Sequence, residues 1–349
     1  MEPQIIENET DLKLVPVNPS FLKAFRKESD EATNGETIHR VATKNTPFIE
    51  ANTSEIELKT LKNDCVIPVF SKDNERTIAH QEFIEICQEM SLKCFPRESF
   101  DLPEIRVSHQ IKGRTPDAIN KAAKDLLDHE RTQYFERMAF IIKIPSMVDV
   151  INGNEIALTI GGVRSYNLEN LYSKKTIEKF KFFIGFQVKV CCNLAVSTDG
   201  YVEEMRVSSY QELEANILKI IQNFRPQKQL QTMKQFSEHA LTEYQFAQLL
   251  GRCRLYQHLP KLEKQDIPML NFTDSHFNTI AKDYYGDKSF CRNESGDISL
   301  WNMYNLFTEA NKSSYIDTFL DRGVNAFSFT EGLSNLLSDR NSDYAWFLS

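Results

Sequence analysis

The feature that most constrains the fold is a pair of long apolar segments separated by one Asn-Gly dipeptide. Residues 138–151 and 154–163 are rich in aliphatic side chains, and Asn152-Gly153 lies between them. A two-residue hairpin loop of type I′ needs positive φ angles at both positions, which Asn and Gly adopt at little energetic cost. The sequence therefore predicts two long strands joined as a β-hairpin.

Further strands and helices are predicted on both sides of this hairpin. A short apolar strand at 65–70 is followed by an amphipathic helix over 77–90, and residues 104–111 alternate as a strand does. Residues 117–138 have the spacing of a strong amphipathic helix. Residues 182–197 are almost continuously β-branched, aromatic or otherwise apolar, which predicts one long buried strand.

Beyond this strand the pattern becomes helical. Ser209 with Glu212, and Thr242 with Gln245, have the spacing of capping boxes, in which two side chains satisfy backbone groups at a helix N-terminus. A further helix near the end of the chain is predicted to close at Gly323, because glycine readily adopts the left-handed conformation found just after helices.

These elements predict an α+β protein with a mixed or antiparallel sheet core. Residues 1–61 carry few large apolar groups and no sustained period, so we predict a flexible, extended N-terminal arm. Residues 62–208 form the predicted α+β core, and residues 209–349 form a helical C-terminal region packed on that core.

Composition limits both compartment and partners. The chain has 41 Lys and Arg against 49 Asp and Glu, a formal net charge of -8, so any contact with nucleic acid must use a local basic patch. Seven cysteines without a C-x-x-C pair favour a reducing cytoplasm. The acidic start does not resemble a signal peptide, and no apolar run approaches the roughly 18 residues that span a bilayer. We therefore expect a cytoplasmic protein outside the membrane.

The glycine-containing stretch 161–175 invites comparison with phosphate-binding loops. A P-loop needs G-x-x-x-x-G-K-[ST] and a dinucleotide-binding loop needs G-x-G-x-x-G, and neither spacing is present. The Cys and His residues also lack the paired spacing of a structural zinc site. The sequence thus predicts no cofactor and no metal, and it identifies no catalytic residue.

Charge is nevertheless segregated along the chain. Residues 161–189 hold six cations and two anions, and a second basic turn lies at 106–114. Aromatic side chains are interleaved with these cations, a composition that binds phosphates and stacks bases. The alternative interpretation places the aromatics in the core and the lysines on a solvated face. The candidate nucleic-acid-binding residues are Arg106, Lys112, Arg114, Arg164, Tyr166, Lys174 and Lys175.

Several segments resemble a known family. They are PFIEANT, IPVFSKDNERTIAHQEFI, HQIKGRTPDA, the segment 158–194 and the segment 300–327. They resemble functionally uncharacterised Bacteroidota proteins that are encoded largely on plasmids, conjugative elements and phages, and that are distantly similar to phage/plasmid-like proteins. The resemblance implies a mobile-element setting and supplies no catalytic residues.

Three hypotheses about function follow. The leading one is a non-enzymatic accessory protein of a mobile element that contacts DNA or RNA, with single strands favoured, through the local basic patch. The alternative is a protein-interaction or anti-defence factor that binds a host protein through its acidic surface. The third is a phosphoryl-transfer or hydrolytic enzyme, which requires acidic residues to converge with His109. The spacing of Asp125 and His129 could orient an imidazole, but it favours an ordinary exposed helix face.

Overall fold

The computed structural model describes residues 46–67, 77–169, 177–339 and 343–349. The strands in these ranges are β1 (Ser54–Ile56), β2 (Glu104–Val107), β3 (Gln110–Arg114), β4 (Arg131–Phe135), β5 (Arg137–Ile151), β6 (Asn154–Ser165), β7 (Glu178–Val188), β8 (Leu194–Ala195), β9 (Tyr201–Val207), β10 (Ala240–Leu241) and β11 (Ile298–Ser299). The α-helices are α1 (Leu58–Asn63), α2 (His80–Cys94), α3 (Tyr210–Asn223), α4 (Pro226–Glu238), α5 (Glu243–His258), α6 (Lys261–Lys264), α7 (Asp274–Gly286), α8 (Leu300–Asn311) and α9 (Ile316–Asp339).

An antiparallel sheet forms the centre of the molecule. Strands β1, β2, β5, β6 and β7 follow one another across it, and the far side of β7 pairs with β8 at one end and with β9 at the other. Two smaller ribbons, β3–β4 and β10–β11, lie outside this sheet. The predicted α+β fold with an antiparallel core and a helical C-terminal region is confirmed.

The predicted hairpin is the longest pairing in the sheet. β5 and β6 pair from Arg137↔Ser165 to Ile151↔Asn154, with a register shift between Ile144 and Val148. The turn residues have φ angles of 47° at Asn152 and 76° at Gly153, the left-handed region that this dipeptide tolerates. The local turn chemistry therefore set the register of the two central strands.

Helices cover both faces of the sheet because side chains alternate along each strand. Phe140 of β5 belongs to the larger core and packs edge-on against Phe83 of α2, with ring centroids 5.3 Å apart. Ala139, its neighbour, belongs to a smaller cluster on the opposite face. There Phe48 packs against Phe319 from the start of α9, with ring centroids 6.0 Å apart.

The C-terminal helices surround an aromatic core that is continuous with the larger core under the sheet. Phe236 of α4 lies 5.7 Å from Tyr304 of α8 and 5.5 Å from Phe327 of α9, ring centre to ring centre. All three rings are buried. Burying a side chain of this size contributes about 1.5–3 kcal/mol, so this cluster is enough to fix the helices on one another.

The prediction of a helix over 117–138 is wrong. This region contains three short 3₁₀ turns, at Pro116–Ala118, Ala123–Asp125 and Asp128–Glu130, and then strand β4. Pairing with β3 and burial of Tyr134 hold β4 extended. These tertiary contacts outweigh a helical propensity worth only tenths of a kcal/mol per residue.

Two other boundaries also differ from prediction. The strand expected over 182–197 stops at Val188, and a turn with Cys192 at φ 60° leads back to β8. The last helix does not close at Gly323, because α9 continues to Asp339. Packing of α9 on α8 and the sheet explains why one glycine, costing about 1 kcal/mol, does not end the helix. Part of the strand predicted at 65–70 lies outside the described residues; Val66 makes an isolated bridge to Gln133.

The end of the predicted N-terminal arm packs on the core. Phe48 and Ile49 are buried, and β1 adds an edge strand to the sheet beside β2. Residues 1–45 lie outside the described ranges, so the arm and the three-segment division stay predictions. Within the described ranges, no helix is both long and apolar enough to cross a lipid bilayer.

Candidate nucleic-acid interface

Three cations that the fold brings together lie on the β3–β4 ribbon; Lys112 and Arg131 are exposed and Arg114 is half-buried. In its antiparallel register Lys112 pairs with Gln133, and Arg114 pairs with Arg131. Residues two apart on a strand, and residues directly opposite across strands, share one face. Lys112, Arg114 and Arg131 therefore lie on one face of the ribbon, which we call the cationic ribbon face.

The charges on this face are close to one another and poorly compensated. Arg114 and Arg131 are directly opposite, an arrangement of like charges that is destabilising unless something offsets it. Arg114 donates through Nη1 to the carbonyl of Lys121, and Arg131 donates to the carbonyl of Leu126 at 3.4 Å. Arg131 Nε lies 3.9 Å from the exposed carboxylate of Asp128. Among the described residues, no carboxylate lies within 4.0 Å of Lys112 or Arg114.

The backbone of the ribbon is itself tightly constrained. Gly113 is opposite Thr132, and a Cβ atom at Gly113 would lie 2.9 Å from the Thr132 hydroxyl oxygen. Thr132 and Tyr134 lie on the face of the ribbon opposite the cations. There Tyr134 is buried and packs edge-on against Tyr166, with ring centroids 5.8 Å apart. The ribbon is thus anchored through one face while the other presents the cations.

Arg106 lies on the main sheet rather than on the ribbon. Its Nε donates to Thr53 Oγ1 at 3.2 Å, and its Nη1 lies 3.6 Å from Glu55 Oε2. It lines a cleft of about 740 Å³. The charged residues that line this cleft are Arg106, Lys143, Glu55, Glu57, Asp101 and Glu104. Because four carboxylates face two cations there, the cleft is acidic, and Arg106 does not extend the cationic ribbon face.

Arg164 is buried, so its predicted position in a surface patch is corrected. Its guanidinium donates to Glu169 at 3.1 and 3.2 Å and to Glu178 at 2.6 Å. It also lies over the rings of Tyr166 and Phe180, at 4.8 and 4.4 Å from their centroids. Burial alone lowers the pKa of Arg164, but its neighbours, the Glu169 carboxylate first, offset this effect and the pKa is raised. The cation is permanently charged and internally paired.

Tyr166 is buried beside Arg164 and is corrected in the same way. Its ring stacks on that of His80 from α2, with centroids 4.1 Å apart and planes 22° apart. His80 Nε2 lies 3.0 Å from the Phe135 carbonyl oxygen, which can only accept, so Nε2 carries the proton. Burial, with Arg164 adding to it, lowers the pKa of His80 to about 3. This neutral stack is part of the core and offers no ring to a nucleic-acid base.

The other described cations of residues 161–189 also form ion pairs. Lys179 lies 3.1 Å from Glu204, and Lys181 lies 2.6 Å from Asp321. Lys189 pairs with Glu155. Lys174 and Lys175 lie outside the described residues, so their proposed role stays a prediction. Counting charge along the sequence missed these pairs because each acidic partner comes from a distant segment.

His276 and Ser314 are close enough to form a catalytic base and nucleophile, but the hydrogen bond between them runs in the opposite direction to the one catalysis needs. His276 Nε2 lies 3.2 Å from the hydroxyl of buried Ser314. The backbone N–H of Thr273 donates to His276 Nδ1 at 3.1 Å, so Nε2 must carry the proton and donate to Ser314. Ser314 in turn donates to Asn311 at 2.7 Å. A nucleophilic serine needs the reverse arrangement, in which the imidazole accepts the hydroxyl proton.

Other sequence candidates for chemistry do not converge within the described residues. His109 is exposed and lies beside the ribbon, and no ion pair there joins it to a carboxylate. Asp125 and His129 belong to separate 3₁₀ turns instead of one helix face. A search of the same residues finds no group of three or more His, Cys, Asp or Glu able to hold a metal ion.

Comparison with known proteins gives a family without an assigned activity. The model of a family described as "Domain of unknown function, B. Theta Gene description (DUF3871)" matches residues 31–348. No curated protein and no solved structure matches the chain.

Proposed function

Because the chain belongs to this family of unknown function, membership alone assigns no activity, and we propose one from the geometry: contact with a nucleic-acid backbone. The cationic ribbon face is the contact surface, and the protein is a non-enzymatic accessory factor of a mobile element, acting in the cytoplasm. Lys112, Arg114 and Arg131 each approach one phosphate. Single-stranded DNA or RNA is the favoured partner. A two-stranded ribbon can also enter the major groove of a duplex, so the test includes both forms.

The observation that supports this proposal most directly is the Arg114–Arg131 pair. Like charges on residues directly opposite each other in an antiparallel pair are destabilising, and here the Arg114 and Arg131 side chains are bound by the carbonyls of Lys121 and Leu126, with one exposed carboxylate, Asp128, 3.9 Å from Arg131. A phosphate between them would offset that repulsion and receive charge-assisted hydrogen bonds. The net charge of -8 makes such binding local, because the rest of the surface repels a polyanion.

Three phosphate contacts predict a specific dependence on salt. Each contact contributes a slope of about −0.9 for duplex DNA, or about −0.7 for a single strand, to the logarithm of affinity against the logarithm of salt concentration. Between about 50 and 200 mM salt, affinity should therefore fall about 40-fold for a duplex and about 20-fold for a single strand. The measurement is fluorescence anisotropy with labelled single- and double-stranded oligonucleotides.

A charge-matched pair of variants tests where the contact lies. Replacing Lys112, Arg114 and Arg131 together by Gln should abolish the salt-dependent binding. The control replaces three exposed lysines on other elements by Gln, which removes the same charge. The control residues are Lys228, Lys282 and Lys288. Absence of binding by the wild-type chain at low salt, or an equal loss in both variants, contradicts the proposal.

A second candidate function is binding of a host protein. The acidic cleft beside β1 favours it, because such a cleft would take up a basic segment of the partner. Leu102 at its rim is 90% exposed, an apolar contact next to Glu57 and Asp101. The test is a pull-down from host lysate with wild-type chain and with Glu57→Lys/Asp101→Lys. A stoichiometric partner that the variant loses supports this candidate, and recovery of no such partner contradicts it.

A further inference from the structure

A pocket of about 430 Å³ lies where the sheet meets the C-terminal helix. Tyr201 and Glu203 of β9 form one side, α9 forms the base, and Met269 and Tyr344 complete the wall. This volume is within the range of about 300–1,000 Å³ that holds small ligands, and junctions between structural layers are common positions for such sites. The pocket is separate from the cationic ribbon face.

The wall of the pocket is fixed by paired hydrogen bonds. The backbone N–H of Asn271 donates to Asn325 Oδ1 at 2.8 Å, and Asn325 Nδ2 donates to the Met269 carbonyl at 2.8 Å. These bonds hold the segment before α7 against α9. Tyr344 donates to the Ser328 carbonyl at 3.3 Å and closes the opposite side. The space is therefore built into the fold.

The lining has negative charge and aromatic rings but no basic side chain. Glu203 and Asp321 are its carboxylates, and none of the described residues that line it is Lys, Arg or His. Asp321 accepts hydrogen bonds from Tyr201 and, at 2.6 Å, from Lys181. Glu203 is exposed and has no cation within 4.0 Å among the described residues, so it supplies the uncompensated charge.

We propose that this pocket binds an organic ammonium ion with a short apolar stem. The ammonium group lies beside Glu203, the uncompensated carboxylate, in a pocket that Tyr201 and Tyr344 also line. The stem packs against Met269 and Val324. Both a free alkylamine and the side chain of a lysine in a peptide have this chemistry.

The test is calorimetric titration of the full chain with three probes. They are 1-butylammonium, Nα-acetyl-lysine amide, and 1-butanol as the neutral control. We expect saturable binding of at least one ammonium probe and at least about threefold weaker binding of butanol, because an exposed ion pair is worth up to about fivefold. Preference for the free amine identifies a small-molecule ligand, and preference for the lysine amide identifies a peptide. Equal binding of butanol, or no binding of either cation, overturns the proposal.

Two neighbouring carboxylates provide a matched pair of variants. Glu203→Gln should weaken the ammonium probe about three- to fivefold, since it removes the unpaired charge. Glu204→Gln should leave the affinity unchanged, because Glu204 pairs with Lys179 and Arg206 and does not line this pocket. Ser328→Phe should block binding by filling the space, with far-UV circular dichroism to confirm folding. Equal effects of the two Gln variants, or unchanged binding in Ser328→Phe, contradict the site.

Discussion

Replacing Arg164 by Met should strongly destabilise the fold. The substitution keeps an apolar side chain of similar length against the Tyr166 and Phe180 rings but removes the charge. Glu169 and Glu178, which are 9% and 5% exposed in the native fold, then lose the guanidinium that donates to both of them. Removing one partner of a buried ion pair costs about 3–5 kcal/mol, because the remaining charge stays desolvated.

The cost should come from burying two carboxylates that have lost the Arg164 charge, so neutralising them should recover most of it. In the native protein the carboxylates of Glu169 and Glu178 accept hydrogen bonds from the backbone N–H groups of Lys179 and Ile78. In the triple variant Arg164→Met/Glu169→Gln/Glu178→Gln the amide oxygens can still accept these two bonds. Replacing a whole buried ionic group with neutral residues is often nearly neutral in stability. We expect the triple variant to lie within about 2 kcal/mol of wild type.

Urea denaturation followed by circular dichroism measures both variants. With a slope of several kcal/mol per molar for a chain of this size, the single substitution should move the midpoint by about 1 M. A loss below about 1 kcal/mol, which is typical of an exposed pair, would show that Arg164 is not buried and would refute the reasoning. Nucleic-acid affinity of the folded Arg164→Met protein should equal that of wild type, because this side chain is not on the cationic ribbon face.

Four further substitutions test the fold. Gly161→Ala should lower the free energy of unfolding by more than about 3 kcal/mol in urea denaturation, since the new Cβ would lie 2.2 Å from the Phe140 carbonyl oxygen. Gly251 lies on α5 with open space around it, so Gly251→Ala should raise the free energy of unfolding by about 0.5–1 kcal/mol. His80→Phe should flatten the dependence of stability on pH. The pKa of His80 is about 3 in the folded protein and 6.5 in the unfolded chain, so this group costs the wild type about 1.4 kcal/mol of stability for each pH unit as the pH falls from 6.5 to 3. The variant lacks the imidazole and should not show this loss. Ser209→Ala should cost about 1 kcal/mol, because the hydroxyl accepts from the N–H of Glu212 at 3.3 Å at the start of α3; an unchanged midpoint would contradict that cap.

Elements specified by adjacent residues were predicted well. The Asn152-Gly153 turn and the capping box of Thr242 with Gln245 appear in the structure as expected. Ser209 caps its helix, but Glu212 accepts from the N–H of Ser208 and so does not complete the predicted capping box. Each depends on backbone and side-chain chemistry within about four residues, so the sequence contains all the interacting groups. The helix expected over 117–138 failed for the opposite reason, since β4 is stabilised by a partner strand across a loop with little regular structure.

The candidate interface could be predicted only in part. Lys112 and Arg114 follow from a basic turn in the sequence and are on the ribbon, but Arg131 joins them through a register that no local pattern indicates. Arg164 and Tyr166 have the composition of a binding loop, yet they are buried with Glu178. Composition cannot distinguish a cation that faces solvent from one that is neutralised internally.

The sequence by itself determined the α+β class, the central hairpin and the starts of α3 and α5, because periodicity and turn chemistry are short-range. Only the tertiary structure decided which charges remain available. The ion pair Lys181–Asp321 joins residues that are 140 positions apart, and such pairs neutralise the described cations of residues 161–189. The same long-range packing placed Arg131 opposite Arg114 and opened the pocket between β9 and α9.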